Sequence, residues 1–326
     1  MKYKDEKPIN SQLLKTISRT MFITFMVTKK CNLKCSYCDV ITGEEKSRYV
    51  SIIDFWMFLK WIKLNSKRPN IAFSFFGGEP SLNPNINKFA GILKREFEGK
   101  RNLEITMTTN LMKSKEYWIK LDKDIKIAAS YHNNKLYKKW FEKALILKNK
   151  GQLHHIVLML TNKNHKTIIK AYKKYSKILP CIICPINQIM GSEYIKFKKD
   201  IIEELGEDPF EDSEKELFYD KAGIEKNHMC SSGYIIDEYG YVYRCWPEHN
   251  IQLASNRRNI FDHPYQVIPI WHLCDNYTEA CDKEVIRSSI GFYRNKIQSC
   301  ELNKTEYTNK ELEKYKPHGV GMRCNG

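Results

Sequence analysis

The chain has 326 residues, of which 42% are hydrophobic, and it carries a formal net charge of +16. These values predict a globular protein with a full core, and they exclude collagen-like, low-complexity and largely disordered chains. The polar start lacks a secretory signal and the apolar run at residues 21–27 is too short to span a bilayer, so we expect a cytoplasmic protein without a membrane partner.

Six short apolar runs alternate with segments of helical periodicity through the first 190 residues. The six predicted strands are residues 22–28, 71–76, 103–109, 125–131, 155–161 and 181–187. Alternation of this kind predicts parallel strands with crossover helices, and hence an α/β sheet or an incomplete barrel. Catalytic loops are then expected at the carboxyl ends of the strands.

The alternation stops near residue 190, where an acidic, helical connector is predicted. Beyond it, the run YIIDEYGYVYR at residues 234–244 predicts a β-hairpin that turns at Gly240. Six of the eleven cysteines follow residue 226. The predicted divisions are an N-terminal extension (1–21), the α/β unit (22–190), the connector (191–226) and a cysteine-rich domain (227–326).

Eleven cysteines in a reducing compartment favour metal ligation or thiol chemistry over a disulfide framework. Cys31, Cys35 and Cys38 directly follow the first predicted strand, where an α/β enzyme places its chemistry. A 4Fe-4S cluster bound by three thiolates keeps one iron free of protein ligands. A zinc site completed by a distant fourth ligand is the alternative.

The spacing Cys-x3-Cys-x2-Cys, with Tyr37 before the last cysteine, resembles the signature of the radical S-adenosylmethionine (SAM) superfamily. The resemblance implies a 4Fe-4S cluster with an open iron for SAM and contact with Tyr37. It also implies reductive cleavage of SAM to a 5′-deoxyadenosyl radical, with reduced flavodoxin or ferredoxin as the electron donor. The implied fold class is α/β: a partial (β/α)6 TIM-like barrel with a small C-terminal α+β cysteine-rich auxiliary cluster domain.

Further positions at the strand ends match the same family. Gly77, Gly78 and Glu79 end the second predicted strand in FFGGEP, and the resemblance implies that they receive the SAM amino group. An ordinary Gly-Gly turn is the alternative. Asn110 follows the third strand and Ser130 ends the fourth, and the resemblance implies SAM contacts for both.

Other groups near these strand ends have two interpretations each. We interpret Tyr131 as a packing residue and His132 as structural or solvent-facing. Cys181 and Cys184, on the sixth predicted strand, are either small buried thiols or hydrogen-atom donors that quench a carbon radical. They are the catalytic candidates.

Cys230 and Cys245 frame the predicted hairpin, which brings them close enough to share a metal centre. Their spacing around Gly240 resembles the opening motif of the SPASM and twitch extensions. We expect one auxiliary 4Fe-4S cluster, with Cys274 and Cys281 as the remaining ligands; Cys300 and Cys324 are the alternatives to either of these two. A zinc site built from the same thiols is the alternative.

The resemblance thus implies an enzyme that abstracts hydrogen from an unactivated carbon. The SPASM-like extension implies a peptide or protein substrate, modified by crosslinking, epimerisation or side-chain oxidation. Modification of a nucleotide or nucleic acid is the alternative, since residues 135–199 hold fifteen lysines against two acids, with aromatic residues between them. A non-catalytic zinc or iron-sulfur binding protein is the third hypothesis.

Overall fold

The structure is a computed structural model that describes residues 20–38, 47–66, 68–132, 137–161, 163–186, 193–210, 228–230, 233–243, 259–265 and 272–274. For residues 137, 193–197, 228–230 and 272–274 the description covers the backbone alone. Within these ranges, no helix has the length and apolar character that a membrane span requires.

Ten strands are present among the described residues. They are β1 (Thr20–Thr28), β2 (Asn70–Gly77), β3 (Asn102–Thr109), β4 (Ile125–Tyr131), β5 (Leu153–Leu160), β6 (Cys181–Pro185), β7 (His228–Cys230), β8 (Tyr234–Ile236), β9 (Val242–Tyr243) and β10 (His272–Cys274). The six strands predicted from the sequence are therefore confirmed, with ends that differ by at most two residues.

Eight of these strands form one open sheet in the order β6-β5-β4-β3-β2-β1-β8-β9. Every pair from β6 to β8 is parallel, and β9 returns antiparallel to β8. The sheet matches the predicted partial barrel, and its described strands do not close into a full one. Strands β7 and β10 form a separate antiparallel pair.

Six α-helices accompany the sheet in the described part of the chain. They are α1 (Ile52–Asn65), α2 (Ile86–Phe97), α3 (Lys115–Lys120), α4 (Tyr137–Asn149), α5 (His165–Tyr175) and α6 (Glu193–Leu205). The start of α1 is a capping box: Ser51 Oγ accepts from Asp54 N at 3.1 Å, and the Asp54 carboxylate accepts from Ser51 N at 3.0 Å.

The core lies between one face of the sheet and the helices. Phe25 of β1 packs 4.4 Å from Phe58 of α1, measured between ring centroids, and tilts against Phe73 of β2. Side chains alternate between the two faces of a strand, so the opposite face carries the register row of Thr24, Ser74 and Thr106. This opposite face of the sheet therefore contains a polar row across β1, β2 and β3.

The hairpin predicted at residues 234–244 is confirmed for the described residues, since β8 and β9 pair antiparallel. Its turn is closed by a hydrogen bond from Gly240 N to Asp237 O at 3.0 Å, and Gly240 has the positive φ of 83° that favours glycine. The hairpin also extends the main sheet, because β8 pairs in parallel with β1. The predicted divisions at residues 21, 190 and 226 stay predictions.

Candidate functional site

The three clustered cysteines lie on a loop, residues 29–38, that leaves β1 at its carboxyl end. Cys38 N donates to Cys35 O at 3.1 Å, and Leu33 N donates to Cys31 Sγ at 3.4 Å. Burial raises the pKa of the Cys31 thiol to about 11, and the nearby Cys38 and Cys35 charges add to the rise. Thiols that influence one another in this way hold protons until a metal displaces them.

The three thiols of this loop (the thiol loop) are the candidate ligands of a metal centre. All three thiols are free and half-buried. Among residues whose side chains the structure describes, no group of three or more His, Cys, Asp or Glu is arranged to hold one metal ion. A 4Fe-4S cluster places each thiolate on a different iron and so accepts a wider spacing than one ion does.

The two glycines of FFGGEP let the end of β2 pass directly against the thiol loop. Gly78 N donates to Thr28 O at 2.8 Å. A Cβ built on Gly77, whose φ is 136°, would lie 2.0 Å from Thr28 O, and one on Gly78 would lie 2.3 Å from Lys29 O. The glycines therefore accommodate the loop that carries the cysteines, a backbone contact that the sequence alone did not indicate.

Glu79 is buried, with 1% of its surface exposed, and its carboxylate accepts three hydrogen bonds. The donors are Thr109 Oγ1 at 2.6 Å, Asn110 N at 2.7 Å and Ser81 N at 3.1 Å. Burial raises the pKa of this carboxyl, while the three hydrogen bonds oppose the rise. These bonds use three of about four acceptor positions, so Glu79 joins the ends of β2 and β3. Its contact with the SAM amino group stays a prediction.

Asn110 brings the end of β3 to the thiol loop. Its Nδ2 donates to Asn32 Oδ1 at 2.8 Å and lies 3.8 Å from Cys31 Sγ. Its backbone oxygen accepts from Trp140 Nε1 at 2.7 Å. The next residue, Leu111, has a φ of 54°, which is uncommon for leucine and marks a sharp exit from the strand. Asn110 is thus held between α4 and the cysteines.

His132 also belongs to this site, although the sequence suggested a structural or solvent-facing histidine. Its Nδ1 lies 2.7 Å from the Tyr37 hydroxyl and 3.7 Å from Cys35 Sγ. Burial lowers the pKa of His132 to about 4, so the ring is neutral near pH 7. The one sequence signal for this role was its position directly after β4. The interpretation of Tyr131 as a packing residue is confirmed, because its buried ring packs 5.1 Å from Trp140.

Comparison with known proteins now identifies this arrangement. Residues 25–137 match the family model of the Radical SAM superfamily. The chain carries a radical SAM domain. Enzymes of this superfamily use a 4Fe-4S cluster and SAM, and the three thiols beside Gly77–Glu79 and Asn110 fit that requirement. Comparison with curated proteins finds no match.

Solved structures share this fold. The structure titled native anSMEcpe with bound AdoMet and Cp18Cys peptide is 17% identical and has a TM-score of 0.57, covering 90% of this chain and 96% of that one. SuiB of Streptococcus suis is 15% identical and has a TM-score of 0.51, covering 80% of this chain and 70% of that one. At identities this low, the two likenesses show a shared fold and nothing beyond it.

Cys181 and Cys184, the two catalytic candidates from the sequence, lie at opposite ends of β6. Cys181 begins the strand and packs against the hydrophobic core. Cys184 lies near its carboxyl end, close enough to Tyr37 to contribute to the raised pKa of that hydroxyl, which burial mainly causes. Cys184 is therefore the candidate on the side of the thiol loop. Ser130 is half-buried on β4, on the face opposite Tyr131.

The hairpin reaches the site through a buried carboxylate. Glu238 has no exposed surface, and its carboxylate lies 3.9 Å from Lys29 Nζ at the start of the thiol loop. Neither carboxylate oxygen has a hydrogen-bond partner within the described ranges. Burial raises the pKa of Glu238 to about 7, and Lys29 opposes the rise.

Of the four cysteines expected to bind an auxiliary cluster, two are in described strands. Cys230 lies on β7 and Cys274 on β10, which pair with each other. Cys245 and Cys281 lie outside the described residues. The auxiliary 4Fe-4S cluster stays a prediction.

Proposed function

We propose that this radical SAM enzyme abstracts a hydrogen atom from an unactivated carbon of a peptide or protein substrate. The observation that carries the proposal is the meeting of the thiol loop, Glu79, Asn110 and His132 at the carboxyl end of the parallel strands. Cys31, Cys35 and Cys38 would hold the cluster, which would supply the one electron for reductive cleavage of SAM to methionine and a 5′-deoxyadenosyl radical.

The chain's own residues position these groups. Glu79 keeps the ends of β2 and β3 together, and Asn110 contacts the loop beside Cys31. Tyr37 and His132 stack with 6.1 Å between ring centroids and form a wall beside Cys35. A rigid wall of this kind holds reactants in place and excludes water from a radical.

A peptide substrate is supported by the anSMEcpe neighbour, which was solved with a bound peptide. The reaction on the peptide is crosslinking, epimerisation or side-chain oxidation. Reduced flavodoxin or ferredoxin is the proposed electron donor.

Cys184 separates these outcomes. In an epimerisation its S–H bond breaks, the hydrogen atom forms a C–H bond at the substrate radical, and a thiyl radical remains on sulfur. One electron from the reduced flavodoxin or ferredoxin and one proton from solvent then restore the thiol. In D₂O, a product that carries deuterium with wild type and none with Cys184→Ser identifies the epimerase, and Cys181→Ser serves as the matched control.

The decisive experiment measures iron, sulfide and 5′-deoxyadenosine in anaerobically reconstituted protein. Wild type with dithionite and SAM should form 5′-deoxyadenosine, and SAM should perturb the electron paramagnetic resonance signal of its cluster. The triple variant Cys31→Ala/Cys35→Ala/Cys38→Ala should lose about four irons and all SAM cleavage. Equal 5′-deoxyadenosine from the variant would refute the assignment of these thiols.

A basic groove on α5 favours a second candidate, modification of a nucleic acid. A shallow cavity of about 410 Å³ is lined by Lys166, Lys170, Lys173 and Lys174. Glu204 of α6 also lines it and pairs with Lys173, so the positive charge of the cavity is partly neutralised. If these lysines bind phosphates, the affinity for a labelled RNA should fall steeply as the salt concentration rises. The variant Lys166→Gln/Lys170→Gln should bind RNAs of different sequence more weakly, by a similar factor for each. Absent or salt-independent binding would remove this candidate.

A further inference from the structure

The side chain of Tyr37 connects the thiol loop to the end of β4. Its hydroxyl lies 2.7 Å from His132 Nδ1, and the two rings stack with 15° between their planes. The same hydroxyl is hydrogen-bonded to the Cys35 thiol. His132 Nδ1 lies 3.7 Å from Cys35 Sγ. The three polar groups therefore form one continuous chain that ends on a candidate ligand of the cluster.

We infer that Tyr37 donates a hydrogen bond to the Cys35 thiolate, that His132 positions this donor, and that the pair raises the reduction potential of the 4Fe-4S cluster. The inference rests on the proposed function, in which Cys31, Cys35 and Cys38 hold the cluster. Hydrogen bonds to the sulfurs are among the factors that set the potential of such a cluster. A donor to sulfur stabilises the negative charge that reduction adds. Tyr37 and His132 therefore make the bound cluster easier to reduce.

The protons that these side chains carry fix the direction of the two hydrogen bonds. A cysteine that binds iron is a thiolate, which has no proton and can only accept. The Tyr37 hydroxyl has a single proton, and its donation to Cys35 leaves the hydroxyl oxygen as an acceptor. His132 Nδ1 must then donate, which selects the neutral tautomer with its proton on Nδ1. Both bonds point toward the sulfur, and hydrogen bonds aligned in this way strengthen each other.

The surroundings of Cys35 support a bond that acts on its charge. Burial raises the pKa of the Cys35 thiol, and the hydrogen bond from Tyr37 opposes this rise, so the bond favours the negatively charged sulfur. The pair of Tyr37 and His132 is partly buried, and a hydrogen bond is stronger there than in water. Cys31 Sγ, by contrast, accepts from the backbone, from Leu33 N at 3.4 Å. The Tyr37 hydroxyl is thus a donor that one substitution removes without touching the backbone.

The midpoint potential of the cluster tests the inference in reconstituted full-length protein without substrate. It is measured by a redox titration of the electron paramagnetic resonance signal that SAM perturbs in a parallel sample. Tyr37→Phe keeps the ring and removes the hydroxyl, so the equilibrium constant for one-electron reduction should fall about tenfold, which is about 59 mV. Tyr49→Phe is the matched control, because the Tyr49 ring contacts Lys30 of the same loop, and it should leave the potential unchanged.

Variants of His132 test its positioning role. His132→Leu should lower the potential by less than Tyr37→Phe does, and should add nothing in the Tyr37→Phe background, because the histidine acts through the hydroxyl. His132→Asn presents an amide donor near the position of Nδ1 and should restore the potential. Unchanged potentials in Tyr37→Phe and His132→Leu, or additive effects of the two substitutions, would overturn the inference. If Tyr37→Phe does not assemble the cluster, the fall in His132→Leu and the recovery in His132→Asn decide.

This outcome is distinguishable from the outcome for the proposed function. A wild type that binds no iron at the thiol loop or cleaves no SAM would refute the proposed function. A wild type that does both, with the same midpoint potential in every variant, would refute the hydrogen bond from Tyr37 alone.

Discussion

Replacement of Gly78 by alanine tests whether β2 must pass this closely to the thiol loop. The new Cβ would lie 2.3 Å from Lys29 O and 2.5 Å from Lys30 O, whereas ordinary contact begins at 3.4 Å. Backbone on one side must therefore move by about 1.1 Å. Overpacking of this kind costs about 1–3 kcal/mol, and the upper end is expected because the obstructing atoms are backbone.

Gly91→Ala is the matched control, because Gly91 lies in α2 and its added Cβ would meet nothing within 4 Å. Alanine in a helix is favoured over glycine by about 0.5–1 kcal/mol. Urea unfolding of reconstituted protein should show Gly78→Ala destabilised and Gly91→Ala slightly stabilised, and iron per chain should fall in the first variant alone. A Gly78→Ala protein with wild-type iron content and stability would refute the close approach.

Three further predictions concern the same site. Thr109→Val leaves the buried Glu79 carboxylate without one donor and should lower the free energy of unfolding by about 1–3 kcal/mol, whereas the half-buried neighbour in Thr108→Val should cost less. Asn110→Ala removes the amide beside the thiol loop and should weaken iron retention against a chelator by about 10–100-fold; unchanged release would contradict that role. Glu238→Gln removes a carboxyl whose pKa is raised to about 7 in the folded protein, so its stabilising contribution is full below pH 4.5 and is lost as pH rises through about 7. In urea unfolding, wild type should therefore lose stability relative to the variant across this pH interval. A difference in the free energy of unfolding that stays constant with pH would refute the raised pKa.

Local patterns were sufficient to predict the strands and the thiol loop. Strand runs and helical spacing are written in neighbouring residues, so the six strands were placed to within two residues. The cysteine spacing likewise lies within eight consecutive positions. Features of this kind depend little on how distant segments meet.

Contacts between distant segments could not be predicted in the same way. His132 lies 97 residues from Cys35 in sequence, and the register from β1 through β4 brings them together. The parallel pairing of β8 with β1 has the same origin. Register is set by the packing of whole faces, which no short segment encodes.

Strand β1 makes the thiol loop dependent on the C-terminal segment. All nine residues of β1 are buried, and the strand has β2 on one side and β8 on the other. Without the hairpin, β1 would be an edge strand with unpaired backbone groups directly before the cysteines. The ion pair of Lys29 with Glu238 ties the first residue of the loop to the same hairpin. The strand that leads into the thiol loop is therefore supported from both sides, by β2 with its Gly77–Gly78 turn and by the hairpin, which belongs to the same sheet.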